Sequence, residues 1–172
     1  MPNGNWSARV IIISDANVLI DILTAELIQE MFRLPEAFAV PDILFTEELA
    51  DHHPELPGAG LQILEMAPEH IEQSAQLRQR YARPSMNDLL ALTLARNHRC
   101  PLLTGDRDLR IVADEHGVEV HGTLWLLERL IQQELIVLDQ LEQAYERMRA
   151  AQRRLPWDEV ERQLQRLNNP RL

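Results

Sequence analysis

With 172 residues and 45% apolar side chains, the chain has the length of one ordinary domain and enough apolar content for a real core. Its 27 acidic against 17 basic residues leave a net charge of −10, which excludes a general polyanion-binding surface and confines any nucleic-acid contact to a local patch. A single cysteine, Cys100, excludes an internal disulfide and a cysteine-based zinc site. Every fixed positive charge is an Arg, since the sequence has no Lys; an Arg-favouring codon bias explains this as readily as the fit of guanidinium to phosphate. The N-terminal M-P-N-G-N-W-S-A-R lacks a charged-then-apolar leader pattern, and no apolar run approaches ~18 residues, so the expectation is a cytoplasmic protein with no membrane partner.

Val10 to Ile13 is a run of four β-branched residues, the pattern of a short strand buried on both faces in a parallel sheet. It stops at Ser14 and Asp15, either of which could cap a helix starting near Asn17 and carrying Val18, Leu19 and Ile22 inward. Thr24 could cap a second helix, Ala25 to Arg33, ended by Leu34-Pro35. Ala37 to Val40 is the next apolar run, and Pro41-Asp42 opens a helix from Ile43 to about His52. The segment from His53 to Gly60 is loop-like, and Leu61 to Met66 alternates like an edge strand. Pro68 opens a helix from about Glu69 to Tyr81. Ser85 then caps a helix from Met86 to Asn97 that is apolar nearly all round.

Pro101 to Thr104 is a further buried strand ending at T-G-D-R-D. A helix from Asp108 to His116 leads through Gly117 into a fifth strand, Val118 to His121. This alternation predicts an α/β fold of three layers, α/β/α, with a central parallel sheet of five strands. After Gly122 only helices are expected: Thr123 to Gln133, Val137 or Leu138 to about Arg154, and Pro156 to Leu167. The division expected is a domain over residues 9–133 and a C-terminal helical extension over 134–172. Seven Arg between Arg147 and Arg171 are mixed with Glu, which suits core cover or a dimer contact.

The carboxyl edge of an open α/β sheet is where loops and helix N-termini converge on ligands. Asp15 follows the first strand, and Glu47 and Glu48 sit one turn into the helix after the second. Asp88 lies in the first turn of the helix capped by Ser85, and Asp106, with Asp108 just beyond, follows the fourth strand. Each has a plain structural explanation: Asp15, Asp42 and Asp88 as caps, Glu47 or Glu48 as a solvated helix face, Asp106 as a turn residue. Jointly they ask for more, because caps need not all fall at one edge. At an effective dielectric near 20, two carboxylates ~4 Å apart repel by roughly 4 kcal/mol, a cost that Mg²⁺ or Mn²⁺ would remove. Ions of this kind with oxygen ligands typically work on phosphates.

At S-D-A-N-V-L-I-D, V-P-D-I-L-F-T-E-E-L, P-S-M-N-D-L-L-A-L-T-L-A-R-N-H and P-L-L-T-G-D-R-D-L-R, the chain resembles the PIN-domain nucleases. This metal-dependent family includes the toxin ribonucleases of bacterial toxin-antitoxin pairs. The resemblance covers roughly Arg9 to Ile131. It implies that Asp15, Glu47, Asp88 and Asp106 are the catalytic acids and metal ligands, with Glu48 as the alternate to Glu47 and Asp108 as a further ligand or supporting acid. It also implies that Asn17, Ser85 and Thr104 brace the cluster and that Arg107, Arg110 or arginines of the tail hold RNA phosphates. Mg²⁺ or Mn²⁺ as cofactor, an RNA substrate, an antitoxin partner and a homodimer follow from the same resemblance.

A non-catalytic binding or assembly module with this fold is the alternative that the negative net charge supports. A phosphoacceptor domain lacks the Lys needed to neutralise an acyl phosphate. The six His show no His-x₃-His helical pairing and read as loop or surface residues. Trp125 and Trp157 read as packing anchors rather than base-stacking platforms, and Cys100 as a small core residue.

Overall fold

The structure, a computed structural model, describes residues 9–170; the N-terminal stretch before Arg9 and Arg171 of the tail lie outside the described residues. Five parallel strands form one sheet: β1 Ile11–Ser14, β2 Ala37–Pro41, β3 Gln62–Leu64, β4 Leu102–Leu103 and β5 Val120–His121, in the order β3-β2-β1-β4-β5. β2 is buried along its whole length, as expected of a strand covered by helices on both faces, and β3 lies at an edge, as its alternation suggests.

Helices α1 Ala16–Thr24, α5 Pro68–Arg80, α6 Met86–His98, α7 Arg107–Glu115 and α8 Thr123–Gln132 fall within a residue or two of the expected spans. The crossovers β1 to β2 and β2 to β3 advance in one direction, and β3 to β4 and β4 to β5 in the other. The usual right-handedness of such crossovers therefore puts α5, α6 and α7 on the face opposite α1, which gives the three layers. α6 is the central cover. Leu89 to Ala95 are all buried, each Leu stabilising by roughly 1.5–3 kcal/mol, and its one buried hydroxyl, on Thr93, accepts from Ser74 Oγ of α5 at 2.8 Å.

Three stretches depart from the expected pattern. The second helix shrinks to a single turn, α2 Ile28–Met31, because Thr24 stays in α1 and donates to the Ile20 carbonyl at 2.7 Å, while Glu26 takes a left-handed φ of 59°. The helix after β2 is α3 Asp42–Leu44 running into a wider π-helical turn, Phe45–Leu49, closed by Ala50 N–H to the Phe45 carbonyl at 2.8 Å. The loop before β3 contains one turn, α4 Leu56–Ala59, ended by Gly60 at φ 137°. A Cβ there would lie 2.9 Å from Phe32 Cγ, so only glycine fits.

The chain closes with α9 Leu138–Ala150 and α10 Trp157–Asn168. α9 presents Leu141, Ala144 and Met148 inward and packs on α1 and α8, while α10 packs on α9. Gln163 of α10 is buried: it accepts from the Tyr145 hydroxyl and donates to the Leu124 carbonyl at 3.0 Å, so the three helices share one polar junction. α9 stops before the expected Arg154 because Gln152 adopts φ 58° and turns the chain back toward α1. No helix among the described residues is long and apolar enough to cross a membrane.

Candidate active site

In a 3-2-1-4-5 sheet the connections diverge between β1 and β4, and the crevice outside the carboxyl ends of those two strands is where ligands bind in such folds. Asp15 follows β1 and Asp106 follows β4. Ser14 pairs in register with Leu103, and Asp15 N–H donates to the Leu103 carbonyl at 2.9 Å, so the two strand ends are level.

Asp15 caps α1, its Oδ1 accepting from Val18 N–H at 2.8 Å, and is only 1% exposed. Capping and belonging to a site are therefore not alternatives here. Its Oδ2 accepts from the Thr104 hydroxyl at 2.6 Å, and Thr104 Oγ1 in turn accepts from Asp106 N–H at 3.0 Å, so one hydroxyl bridges acids that are far apart in sequence. Asp106 caps α7 by accepting from Leu109 N–H at 2.7 Å. Ser85 and Asp88 form a reciprocal capping box at the start of α6, with bonds of 3.1 and 3.0 Å.

Burial pushes the Asp15 carboxyl up from 3.8 to about 7; the negative charges of Asp88 and Asp21 add to this, and the Thr104 and Val18 bonds oppose it. Asp88 is also raised, by burial first, and then by Asp106 against the opposing Ser85 bonds. Glu48 is raised by burial and by Asp88. These mutual repulsions place Asp15, Asp88, Asp106 and Glu48 in one electrostatic neighbourhood.

Other expected residues sit differently. Glu47, beside Glu48 on the π-helical turn, accepts from Asn87 Nδ2 at 2.9 Å, and Asn87 also favours the charged form of Glu48. Glu47 and Glu48 thus both lie beside Asn87 at the start of α6. Asp108 pairs with Arg83 at 3.5 Å, and Asn17 takes Arg153 Nη2 on its backbone carbonyl at 3.3 Å. Arg107 is exposed at the first position of α7, while Arg110, one turn later, lines a cleft beyond Gly105.

Two functional candidates have no counterpart among the expected site residues. Asp21 of α1 is 5% exposed, accepts from Thr123 Oγ1 at 2.8 Å, and is paired with Arg153 Nε at 2.6 Å. Burial raises its carboxyl and the Arg153 and Thr123 bonds oppose the rise. A carboxylate inside the otherwise apolar V-L-I-D-I-L turn was the available signal; its partner lies too far along the chain for spacing to reveal. Gln152, Arg153 and Arg154 line a cleft of about 360 Å³ together with Asn17, Asp21, Gly105 and Asp106, so the α9–α10 loop brings positive charge to the rim of the acidic edge.

The donors at this edge are all oxygen, which suits a hard divalent cation, and among the described residues no Arg or His forms an ion pair with Asp15, Glu48, Asp88 or Asp106. On donor chemistry and uncompensated charge the residues fit such an ion. As they stand, no three His, Cys, Asp or Glu side chains among the described residues lie close enough to share one, so binding would draw the carboxylates inward. Thr104→Val should push the Asp15 carboxyl higher still, because it removes the hydroxyl that favours the charged form. The change should destabilise the protein by about 1–3 kcal/mol through the two hydrogen bonds lost, as urea denaturation would show.

The comparisons with known proteins agree with this architecture. A family model described as DUF3368, a PIN domain, matches residues 11–169. Among solved structures, a PilT N-terminus domain protein from Sulfolobus solfataricus P2 is similar over 70% of this chain and 93% of its own, at 11% identity and a TM-score of 0.50. PAE2754 from Pyrobaculum aerophilum is similar over 77% of this chain and 99% of its own, at 12% identity and a TM-score of 0.52. A toxin-antitoxin complex from Klebsiella pneumoniae aligns over 56% of this chain and 88% of its own, at 24% identity and a TM-score of 0.41. No curated protein matches the chain. The match to the family model runs from β1 through α10, across the sheet and the acidic edge just described, and the chain belongs to the PIN-domain family.

Proposed function

We propose that this chain is a Mg²⁺- or Mn²⁺-dependent endoribonuclease that hydrolyses RNA phosphodiester bonds at the β1/β4 edge. Asp15, Asp88 and Asp106, with Glu48 or Glu47, would hold the metal, and a divalent ion so held polarises the phosphate and activates water. The chain's own part is to fix the acids in place. Thr104 and Val18 hold Asp15, Ser85 holds Asp88, and the first turn of α7 holds Asp106, so each acid is anchored at a helix start from which an ion would draw the carboxylates together. Arg107 and Arg110, both exposed on α7, would hold flanking phosphates.

The observation that carries this reading is the buried Asp15, raised to about 7 by burial and by Asp88, while among the described residues no Arg or His pairs with Asp15, Glu48, Asp88 or Asp106. Residues 9–133 would carry the chemistry and residues 134–172 would pack beside it. A toxin-type role, with an antitoxin covering the edge and a homodimer as the working unit, belongs to the same reading and rests on the family resemblance. That no three acids yet share a point favours the other reading, a PIN fold kept for binding or assembly. Labelled RNA incubated with the protein and Mn²⁺ should be cut, and chelator or Asp88→Asn should stop the cutting. Intact RNA after incubation with the wild type, together with no heat of Mn²⁺ binding at millimolar ion, would favour the assembly module.

A further inference from the structure

Beside the acidic edge, past Gly105, lies a second cleft of about 310 Å³ that shares Asp21, Gly105 and Arg154 with the first. Its size falls in the range of small-ligand sites. His121 and Trp125 both line it and stack on each other, with ring centroids 4.0 Å apart and planes 14° from parallel. The His121 ring is oriented by Glu119, whose Oε1 lies 2.6 Å from Nε2, and the His121 carbonyl accepts from Thr104 N–H at 2.9 Å. The stack is thus tied through β5 and β4 to the same Thr104 that bridges Asp15 and Asp106. Trp125 packs against the core, as its sequence position suggests, and is half-buried where it also lines this cleft.

We propose that this cleft is a nucleobase subsite: an unpaired base of single-stranded RNA stacks on the His121–Trp125 pair while Arg110 and Arg154 hold its flanking phosphates. The inference rests on the nuclease reading for its choice of RNA. Stacking two rings uses one face of each, and any base can extend such a stack, because every base has a π-face. Among the described residues neither Arg110 nor Arg154 is in an ion pair, so their guanidinium donors are free for phosphate. They put two cations at one local patch of a chain whose net charge is −10. A strand lying with one base in this cleft would pass Gly105 and present its next phosphodiester to Asp106 and Asp15.

The test measures binding apart from cleavage. A labelled oligoadenylate and a ribose-phosphate chain of equal length without bases are titrated with the full-length protein in chelator, and anisotropy is followed. The oligoadenylate should bind more tightly than the abasic chain. Trp125→Leu and His121→Ala should each weaken it roughly fivefold or more, and neither should change abasic binding, which also shows that the variants are folded. Wild-type protein holding both probes equally, or both variants holding oligoadenylate as the wild type does, would overturn the subsite. An oligodeoxyadenylate of the same length is titrated alongside, and its binding more tightly than the oligoadenylate would overturn RNA as the source of the base. Cleavage in Mn²⁺ is scored separately: RNA that is cut without base-dependent binding removes the subsite and leaves the nuclease, and base-dependent binding without cutting does the reverse.

Discussion

Asp15→Asn is expected to abolish RNA cleavage and, in the metal-free protein near pH 8, to make the fold more stable than the wild type by about 2 kcal/mol. The two effects share a cause. The folded carboxyl titrates at about 7 against 3.8 in the unfolded chain, chiefly because it is buried. Between those values the folded state holds a proton that the unfolded chain has released. Stability from this group is therefore fully present below about pH 4, falls as pH rises, and is lost above about 7. A displacement of that size corresponds to roughly 4 kcal/mol as an upper figure.

An amide at the same position carries no charge to desolvate and still caps α1. It offers only one oxygen to Val18 N–H and the Thr104 hydroxyl together, which returns about 1 kcal/mol or more of the gain. Asp21, Asp88 and Glu48 are shifted the same way and add to the wild-type decline as pH rises above their ordinary values, while Glu128, lowered by its Arg166 bond, acts in the opposite sense only below its ordinary 4.5. Urea unfolding in chelator at about pH 5 and pH 8 decides the matter. A variant that is less stable than the wild type at both pH values would show that Asp15 is a structural cap whose charge is well solvated.

Arg153→Met should destabilise the protein by about 3 kcal/mol, an unusually large loss for a side chain in a loop. Asp21 is almost completely buried and relies on Arg153 Nε and the Thr123 hydroxyl for compensation. Breaking a buried pair from one side leaves an uncompensated charge, which typically costs 3–5 kcal/mol; Arg153 retains 24% side-chain exposure, which argues for the lower end. The loss should grow with pH, since at low pH Asp21 takes up a proton instead. Asp21→Asn combined with Arg153→Met should recover most of the stability, and the coupling read from the double-mutant cycle should reach about 2 kcal/mol. A double-variant loss equal to the sum of the two single losses would mean that the pair adds nothing and that the α9–α10 loop is held to α1 by other contacts.

Much of the local structure was legible because short-range chemistry decides it. The β-branched run into β1, the Ser85–Asp88 capping box, the all-round apolar α6 and the T-G-D-R-D turn after β4 are each written within a few residues. The failures are equally local in cause. Thr24 hydroxyl bonding backwards in α1, the π-helical turn over Phe45–Leu49 and the left-handed Gln152 each change the chain's direction without an obvious mark in composition. The π-helical turn matters most, because it sets the directions of Glu47, which accepts from Asn87, and of Glu48, whose carboxyl is raised by burial and by Asp88, and counting residues along an ordinary helix does not anticipate it.

By itself the sequence determined which residues carry charge at the ends of apolar runs and the α/β alternation that sets the layers, since both follow from periodicity and from caps that act over three or four residues. Only the tertiary structure decided that β1 and β4 are neighbours, that Thr104 joins Asp15 to Asp106, that Arg153 neutralises Asp21, and that His121 stacks on Trp125 beside them. Strand order and long-range pairing depend on how the buried faces of the whole chain fit together, and no local stretch of residues contains that information.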